Sequence, residues 1–395
     1  MLMDLKKRAR AEHDRGLLIS RLLAGSWRES PQPANPSEDE LTSVLPLLCQ
    51  SGAGALAWSR IRSTALAGSV AGQRLHDVYR QFRLSALIHE REIARVLSLL
   101  RGVEIEPVLV KGWSSARRYP EPALRPYGDI DLCVRPDQLE KAAAALQCLE
   151  QIDGHYVDLH AGFTSIGIGT HGRTRSADVV ASWDELFARS RVVSIGDQTL
   201  RILGDEDQLR ILCLHLLRSG ALRPPWLCDI AMLVESRSAN FSWEICLGRD
   251  RRHADWVACT IGLAQRLLSA RIGDTSITER TEHLPRWLAP AVLRQWGRRR
   301  EHYLMQIAPA ALREMNTPGR MNVGSVDTPT AFGKLYSRWD NPVRATARLR
   351  GRFNNWPRLP YQLGELLLRS PEVPLQLRII LRPHTASLVP IVSDL

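Results

Sequence analysis

The chain has 395 residues, of which 44% are hydrophobic, and its 53 lysines and arginines outnumber its 42 aspartates and glutamates. This length is sufficient for two or three domains with a large core, and the hydrophobic content is ordinary for a globular protein. The net charge of +11 favours a polyanionic partner.

The sequence argues against a membrane or secreted protein. It contains no apolar run near the 18 residues that a spanning helix needs. The start is charged, and the short apolar stretch that follows is interrupted by Arg21, which is unlike a secretory signal. The seven cysteines are widely spaced, as is typical of buried thiols in a reducing compartment. We therefore expect a cytoplasmic protein without a membrane partner.

The first region, residues 1–101, reads as helical. A loop rich in proline, serine and acidic residues covers Ser30 to Glu40. After it, apolar residues recur at close to helical spacing, which predicts a long helix ending near Arg101. These apolar residues are Leu84, Leu87, Ile88, Ile93, Val96, Leu97 and Leu100.

The second region, residues 102–205, alternates strand and helix signals. An apolar strand from Val108 to Val110 ends in Lys111-Gly112, and a short helix and a proline-rich turn follow. A second strand then carries Asp129 and Asp131. Side chains alternate between the faces of a strand, so both carboxylates project to one face while their apolar neighbours project to the other.

Two carboxylates on one strand face can bind a shared pair of divalent cations. Such a pair holds a triphosphate and stabilises both the attacking and the leaving oxygen of an in-line displacement. Gly112 opens the helix after the first strand, where backbone N–H groups suit a phosphate. Each motif alone is common, since an Asp-x-Asp often lies in a turn. Their order predicts a metal-dependent nucleotidyltransferase site.

A third carboxylate is expected on a neighbouring strand, and Asp158 is the best candidate. It follows a helix that would return the chain beside the strand of Asp129. The alternative is an aspartate that caps a turn, with Asp178 or Asp184 as the third carboxylate. His160 shares the face of Asp158 by strand alternation and would contact phosphate, orient Asp158 or simply pack.

The third region, residues 206–395, is again helical. Arginines concentrate at Arg294 to Arg300 and at Arg338 to Arg358, where they are interleaved with Trp339, Phe353 and Trp356. Such aromatic residues can stack on bases. The alternative is a solvated basic helix face whose aromatic side chains turn into the core.

These motifs resemble the uncharacterised nucleotidyltransferase family of the DNA polymerase beta superfamily. The matching residues, in order, are Lys111-Gly112, Tyr119, Arg125-Pro126 and Gly128-Asp129-Ile130-Asp131. The resemblance continues over Val157 to Phe163, over Ser182 to Ser190, over a helix pair with His215 and a later aspartate, and over a closing Arg-Pro helix. Two positions depart from the family pattern. Trp113 stands where a small residue is usual, and Ser219 replaces a second histidine.

The resemblance implies an α+β fold, with a mixed sheet and flanking helices between helical N- and C-terminal regions. It implies transfer of a nucleotidyl group from a nucleoside triphosphate to an acceptor hydroxyl or phosphate on a peptide, small molecule or tRNA. Two Mg²⁺ ions would be bound by Asp129, Asp131 and Asp158. The triphosphate would contact Lys111, Gly112, Ser114, Ser115 and Arg125, although Lys111 and Arg125 equally suit pairs with aspartates.

Two other interpretations stay open at this point. One is a non-catalytic protein that keeps the fold and binds a nucleotide or a partner. The bulky Trp113 beside Gly112 favours this interpretation. The other is a toxin that modifies tRNA, which the basic C-terminal region would suit.

Overall fold

The computed structural model describes residues 2–150, 157–163, 176–273, 275–298, 341–348 and 352–355. Within these ranges it is an α+β protein with a five-stranded mixed sheet, as the sequence predicts. None of the helices in the described part of the chain is long and apolar enough to cross a bilayer.

The N-terminal region is helical, as predicted. Its helices are α1 (Leu2–Leu23), α2 (Glu38–Ser51), α3 (Gly54–Ile61) and α4 (Val70–Gly102). The loop predicted over Ser30 to Glu40 ends earlier, at Ser37, and its last three residues belong to α2. Ser37 caps this helix, because its hydroxyl accepts from the Glu40 amide and the Glu40 carboxylate accepts from the Ser37 amide. Leu84 and Leu87 of the predicted helix are exposed, whereas Phe82 and Ile93 lie on the buried face.

The central region holds the sheet. Its elements are β1 (Val108–Leu109), α5 (Gly112–Ala116), β2 (Ile130–Val134), α6 (Leu139–Glu150), β3 (Val157–Ala161), α7 (Ser176–Ala188), β4 (Arg191–Ile195) and β5 (Gln198–Ile202). The strand order is β3-β2-β1-β5-β4. Strands β2 and β3 pair in parallel, as do β1 and β5, whereas β1 with β2 and β4 with β5 are antiparallel.

The two faces of the sheet bury different side chains. Ile130 and Leu132 pack on the face covered by α4 and α6. Cys133 of the same strand packs on the opposite face, with Trp183 of α7. Strand alternation therefore places Asp131, between Ile130 and Leu132, on the side of Cys133. The predicted assignment to opposite faces is confirmed for Ile130, Leu132 and Asp131, whereas Asp129 directly precedes the strand instead of lying in it.

The C-terminal region is helical as well. Its helices are α8 (Asp205–Arg218), α9 (Pro224–Glu235), α10 (Trp243–Leu247), α11 (Arg251–Leu268), α12 (Thr278–Glu282), α13 (Leu288–Gly297) and α14 (Pro342–Arg348). Parts of the arginine-rich segments, including Trp339 and Trp356, and all of the expected closing helix lie outside the described residues. Phe353 is described, and its ring packs against Trp256 and Trp287.

The outer helical regions share one core. Side chains from α1 to α4 form a continuous buried cluster with side chains of α8, α9, α11, α13 and α14. The predicted boundaries fall close to the end of α4 and the beginning of α8. The division into three regions stays a prediction, since the first and the last region bury their apolar side chains together.

Candidate active site

The pairing of β2 with β3 brings two predicted carboxylates together. In this parallel ladder Asp131 lies directly opposite Asp158, and Cys133 lies opposite His160. Directly opposed residues project to the same face of a sheet, so Asp131 and Asp158 are neighbours. Asp158 thereby meets the geometric requirement for the third carboxylate, and Asp184 instead contacts Arg135 with an Oδ1–Nη1 distance of 3.3 Å.

His160 completes a compact group of ligand atoms. Its Nε2 lies 3.3 Å from Oδ2 of Asp158 and 3.5 Å from Oδ1 of Asp131. One ligand atom from each of these three residues lies within 4.8 Å of the others. The side chains of Asp131 and His160 are only 12% and 14% exposed, whereas that of Asp158 is 44% exposed. Two carboxylates and an imidazole fit a divalent cation.

Lys111 supplies the counter-charge at this group. Its Nζ lies 2.6 Å from Oδ1 of Asp131. Burial raises the pKa of the Asp131 carboxyl, but the hydrogen bond with His160 and the charge of Lys111 outweigh it, so the pKa lies below its ordinary value. Asp131 is therefore held as a carboxylate.

The surroundings of Asp129 differ from those of Asp131, although the two residues are only two positions apart in the chain. Asp129 directly precedes β2 and is exposed. Partial desolvation and the negative charges of Asp131 and Asp158 raise the pKa of the Asp129 carboxyl. The positive charge of Arg223 lowers it, but the net shift is upward. Asp129 lies outside the set of three ligand atoms, but its charge is close to both other carboxylates.

The backbone that enters the site is strained. Lys111 has φ 55° and ψ −147° at the beginning of α5, a conformation that is essentially restricted to glycine. Such conformations cost about 1–3 kcal/mol and cluster at functional sites. The following Gly112 has φ 34°, and a Cβ there would lie 3.4 Å from the carbonyl oxygen of Asp129. The positive φ of both residues produces a tight turn, which lies directly beside Asp129.

Trp113 is accommodated on the far side of the sheet. Its side chain is 5% exposed and belongs to the cluster of Ile130 and Leu132, opposite to Asp131. Its indole N–H donates to Glu90 of α4. The bulky side chain at this position therefore packs away from the carboxylates.

The two predicted serines face the interior. Ser114 and Ser115 are buried, and the Ser114 hydroxyl donates to the carbonyl of Lys111. The side-chain amide of Gln208 donates to Ser114 over 2.9 Å and to Ser115 over 3.3 Å. Their hydroxyls hold the Lys111 turn against α8. Contact with phosphate stays a prediction for both serines.

Arg125 makes a buried ion pair. Its Nε and Nη2 donate to the two carboxylate oxygens of Asp229 on α9, each over 2.7 Å, and the Tyr119 hydroxyl donates to the same carboxylate over 2.9 Å. Asp229 is fully buried. The family-like residues Tyr119 and Arg125 thus fasten the central region to α9, and contact of Arg125 with phosphate stays a prediction.

Two further residues approach the site from α8 and the beginning of α9. Burial, together with the charges of Lys111, Arg125 and Arg223, lowers the pKa of His215 to about 3. Its ring contacts Trp226 edge-on, with 4.7 Å between the ring centroids. The role of Arg223 was missed in the sequence, where the only signal is an arginine before the two prolines that open α9.

Comparison with known proteins gives one match. No curated protein and no solved structure shows significant similarity to the chain. A family model described as an uncharacterised nucleotidyltransferase matches residues 37–268, a range that contains all of the site residues above. Because this model covers more than half of the 395 residues, the chain belongs to the uncharacterised nucleotidyltransferase family.

Proposed function

We propose that the protein transfers a nucleotidyl group from a nucleoside triphosphate to an acceptor hydroxyl or phosphate and releases pyrophosphate. Family membership indicates a nucleotidyltransferase in general. The observation that carries the proposal is the ladder register that sets Asp131 opposite Asp158. It supports a shared cation site that two carboxylates and an imidazole could hold.

In this proposal Asp129, Asp131 and Asp158 bind the divalent cations, for which the sequence resemblance implies two Mg²⁺ ions. Bound cations would neutralise the triphosphate and polarise the α-phosphorus. The acceptor oxygen forms a bond to the α-phosphorus while the bond to the bridging α–β oxygen breaks, and pyrophosphate leaves. Asp158 accepts the acceptor's proton, a role that its 44% side-chain exposure supports.

In this proposal the ammonium group of Lys111 moves from Asp131 to the phosphate oxygens when a cation binds. In the structure its ammonium group neutralises Asp131. A cation on Asp131 would displace this group, and the displaced ammonium would then neutralise phosphate oxygens. Gly112 would let the backbone approach the triphosphate closely, because it has no Cβ. Arg125 would reach phosphate only after leaving Asp229, so we place it in the supporting structure.

The acceptor is proposed as a class: a peptide, a small molecule or tRNA. The net charge of +11 supports an anionic acceptor such as tRNA. The arginines of Arg294 to Arg300 and Arg338 to Arg358 contribute to this positive charge.

The deciding experiment incubates the protein with each of the four α-labelled triphosphates, a divalent cation and separated peptide, small-molecule and RNA fractions of a cell extract. We expect label to move to one fraction and pyrophosphate to appear in equal amount. The matched control is Asp131→Asn with Asp129→Asn, which should transfer nothing. Full transfer by this double variant would remove the metal-dependent mechanism.

Nucleotide binding can be measured separately from transfer. A ligand that binds only the folded state stabilises it, by about 2.7 kcal/mol at a hundred times its Kd. We expect a triphosphate with a divalent cation to raise the Tm, and the monophosphate to raise it much less. Binding without transfer to any fraction would favour the non-catalytic alternative.

A further inference from the structure

The imidazole of His160 directs one nitrogen towards two carboxylates. Nε2 is the atom that lies near both Oδ2 of Asp158, at 3.3 Å, and Oδ1 of Asp131, at 3.5 Å. A single N–H can donate well to only one of them. Asp131 already has a cation at 2.6 Å in the ammonium group of Lys111. Charge neutralisation of Asp131 alone therefore gives no reason for an imidazole at this position.

The spacing of the donor atoms matches ligands of one metal ion. Nitrogen and oxygen ligands lie about 2.0–2.2 Å from a first-row transition cation, so two ligands in tetrahedral arrangement are about 3.4 Å apart. The distances of 3.3 and 3.5 Å from Nε2 are of this size. Parallel pairing of β2 and β3 fixes the backbone positions of all three residues, because each is part of the ladder.

The identity of the third ligand determines which cations the site prefers. Mg²⁺ prefers an octahedron of oxygen ligands and keeps several waters. Imidazole is a better ligand for transition metals, whereas carboxylates suit Mg²⁺ and Mn²⁺ alike. A site of two carboxylates and one imidazole should therefore discriminate against Mg²⁺.

We propose that Asp131, Asp158 and His160 together bind one first-row transition divalent cation, in preference to Mg²⁺, with His160 Nε2 as a direct ligand. The use of this cation in catalysis rests on the proposed function, whereas its binding can be measured without any transfer reaction. It assigns His160 a metal-binding role and restricts the preferred cofactor at this position to the class of Mn²⁺, Co²⁺ and Zn²⁺.

The test uses the full-length protein without nucleotide and Mn²⁺ as the probe. Binding removes the electron paramagnetic resonance signal of free Mn²⁺, and added Mg²⁺ competes. We expect one tightly bound Mn²⁺ and at least roughly tenfold weaker binding of Mg²⁺. His160→Gln replaces the nitrogen ligand with an amide oxygen. It should weaken Mn²⁺ at least about tenfold and leave Mg²⁺ within about threefold.

His283→Gln, a change of an exposed histidine, is the matched control and should alter neither affinity. A second measurement does not depend on the variant's folding. Electron spin echo modulation of Mn²⁺ bound to the unchanged protein should show coupling to an imidazole ¹⁴N. Loss of Zn²⁺ or Co²⁺ binding in His160→Gln would extend the result to the class.

The outcomes separate this inference from the proposed function. Mn²⁺ binding without ¹⁴N coupling, or equal affinity for Mg²⁺ and Mn²⁺, overturns the role of His160 but leaves metal-dependent transfer intact. Absence of binding by any of these cations, together with absence of transfer, overturns both. Nitrogen-coupled Mn²⁺ in a protein that transfers nothing supports the metal site and removes the catalytic proposal.

Discussion

Asp129 and Asp131 are two residues apart in the chain, yet their carboxyl groups meet opposite electrostatic surroundings. Asp131 is paired with Lys111 and His160, and its pKa is lowered. Asp129 is close to two other carboxylates, and its pKa is raised. The sequence predicts that both belong to the site, but it carries no information on this difference, because the partners come from other strands and helices.

Substitution of these aspartates should therefore have opposite effects on stability. Asp131→Asn leaves Lys111 without its partner and should cost about 1–3 kcal/mol in the absence of metal. Asp129→Asn should leave the protein at least as stable as the parent at neutral pH. Each change should slow transfer at least roughly a hundredfold, the scale of losing one stabiliser of transition-state charge. Urea unfolding at pH 7 and a transfer assay measure both effects.

The sign for Asp129 follows from its raised pKa. Above the folded-state pKa the ionised carboxylate costs stability, and this cost disappears as pH falls below the unfolded value of about 3.9. The advantage of Asp129→Asn should therefore shrink towards pH 4. For Asp131 the stabilisation is present above about pH 3.9 and is lost as pH falls through its lowered pKa. Equal behaviour of the two variants would contradict this assignment.

The side chain of Asp158 is 44% exposed, whereas that of Asp131 is 12% exposed. This exposure suits contact of Asp158 with the acceptor. Loss of a group that acts mainly in the transition state lowers kcat more than nucleotide affinity. We expect Asp158→Ala to lower kcat at least roughly a hundredfold and to change the nucleotide Kd by less than about threefold. The control is Asp184→Ala, whose carboxylate contacts Arg135. A kcat loss in Asp184→Ala as large as in Asp158→Ala would reassign the third carboxylate.

At the scale of elements, α9 is fastened to the central region by the Arg125–Asp229 pair. Asp229 is fully buried and Arg125 is 6% exposed. Tyr119, Arg125 and Asp229 all lie in segments that resemble the family, but only the packing of α9 shows that they contact each other. A sequence pattern gives the residue types and their order, whereas the partner of a buried charge depends on how distant segments meet.

Breaking this pair should be strongly destabilising. Asp229→Ala leaves a buried guanidinium without a counter-charge, which typically costs about 3–5 kcal/mol. Glu185→Gln, which breaks the exposed pair with Arg189, should cost less than about 1 kcal/mol. The denaturant midpoints of the two variants provide the comparison. Similar small losses in both would mean that the Arg125–Asp229 pair does not hold α9 in place.

At the scale of the whole molecule, the half-buried His215 and the buried His253 make stability depend on pH. Burial lowers the pKa of His215 to about 3 and that of His253 to about 4. In the unfolded chain a histidine takes up a proton near pH 6.5. The unfolded state thus binds more protons between these values, and stability falls as pH drops below about 6.5.

His215→Gln tests this dependence, because glutamine does not titrate. Charged groups near His215 also shift its pKa: Asp131 raises it, and the three cations Lys111, Arg125 and Arg223 lower it. We expect the variant to lose less stability than the parent between pH 7 and pH 5, as measured by urea unfolding. An unchanged slope would show that His215 has nearly the same pKa in the folded and the unfolded protein, and an NMR titration of its ring would give the folded-state pKa directly.

The class of the fold followed from the family resemblance, whereas the residues themselves determined the strand of Asp131, the two faces of that strand and the turn at Gly112. These features are local, since strand alternation and the conformational freedom of glycine act within a few residues. The exposed Gly196-Asp197 pair that links β4 to β5 is likewise a local hairpin signal.

Only the tertiary structure decided which charges meet. It placed Asp158 and His160 beside Asp131, turned Trp113 to the face opposite Asp131, bonded the two serines to Gln208 of α8, and joined the first and last helical regions in one core. It also left Leu84 and Leu87 exposed, although their spacing fits the apolar face of a helix. The physical reason is common to these cases: contacts between segments far apart in the chain depend on the register and packing of whole elements, which no local pattern encodes.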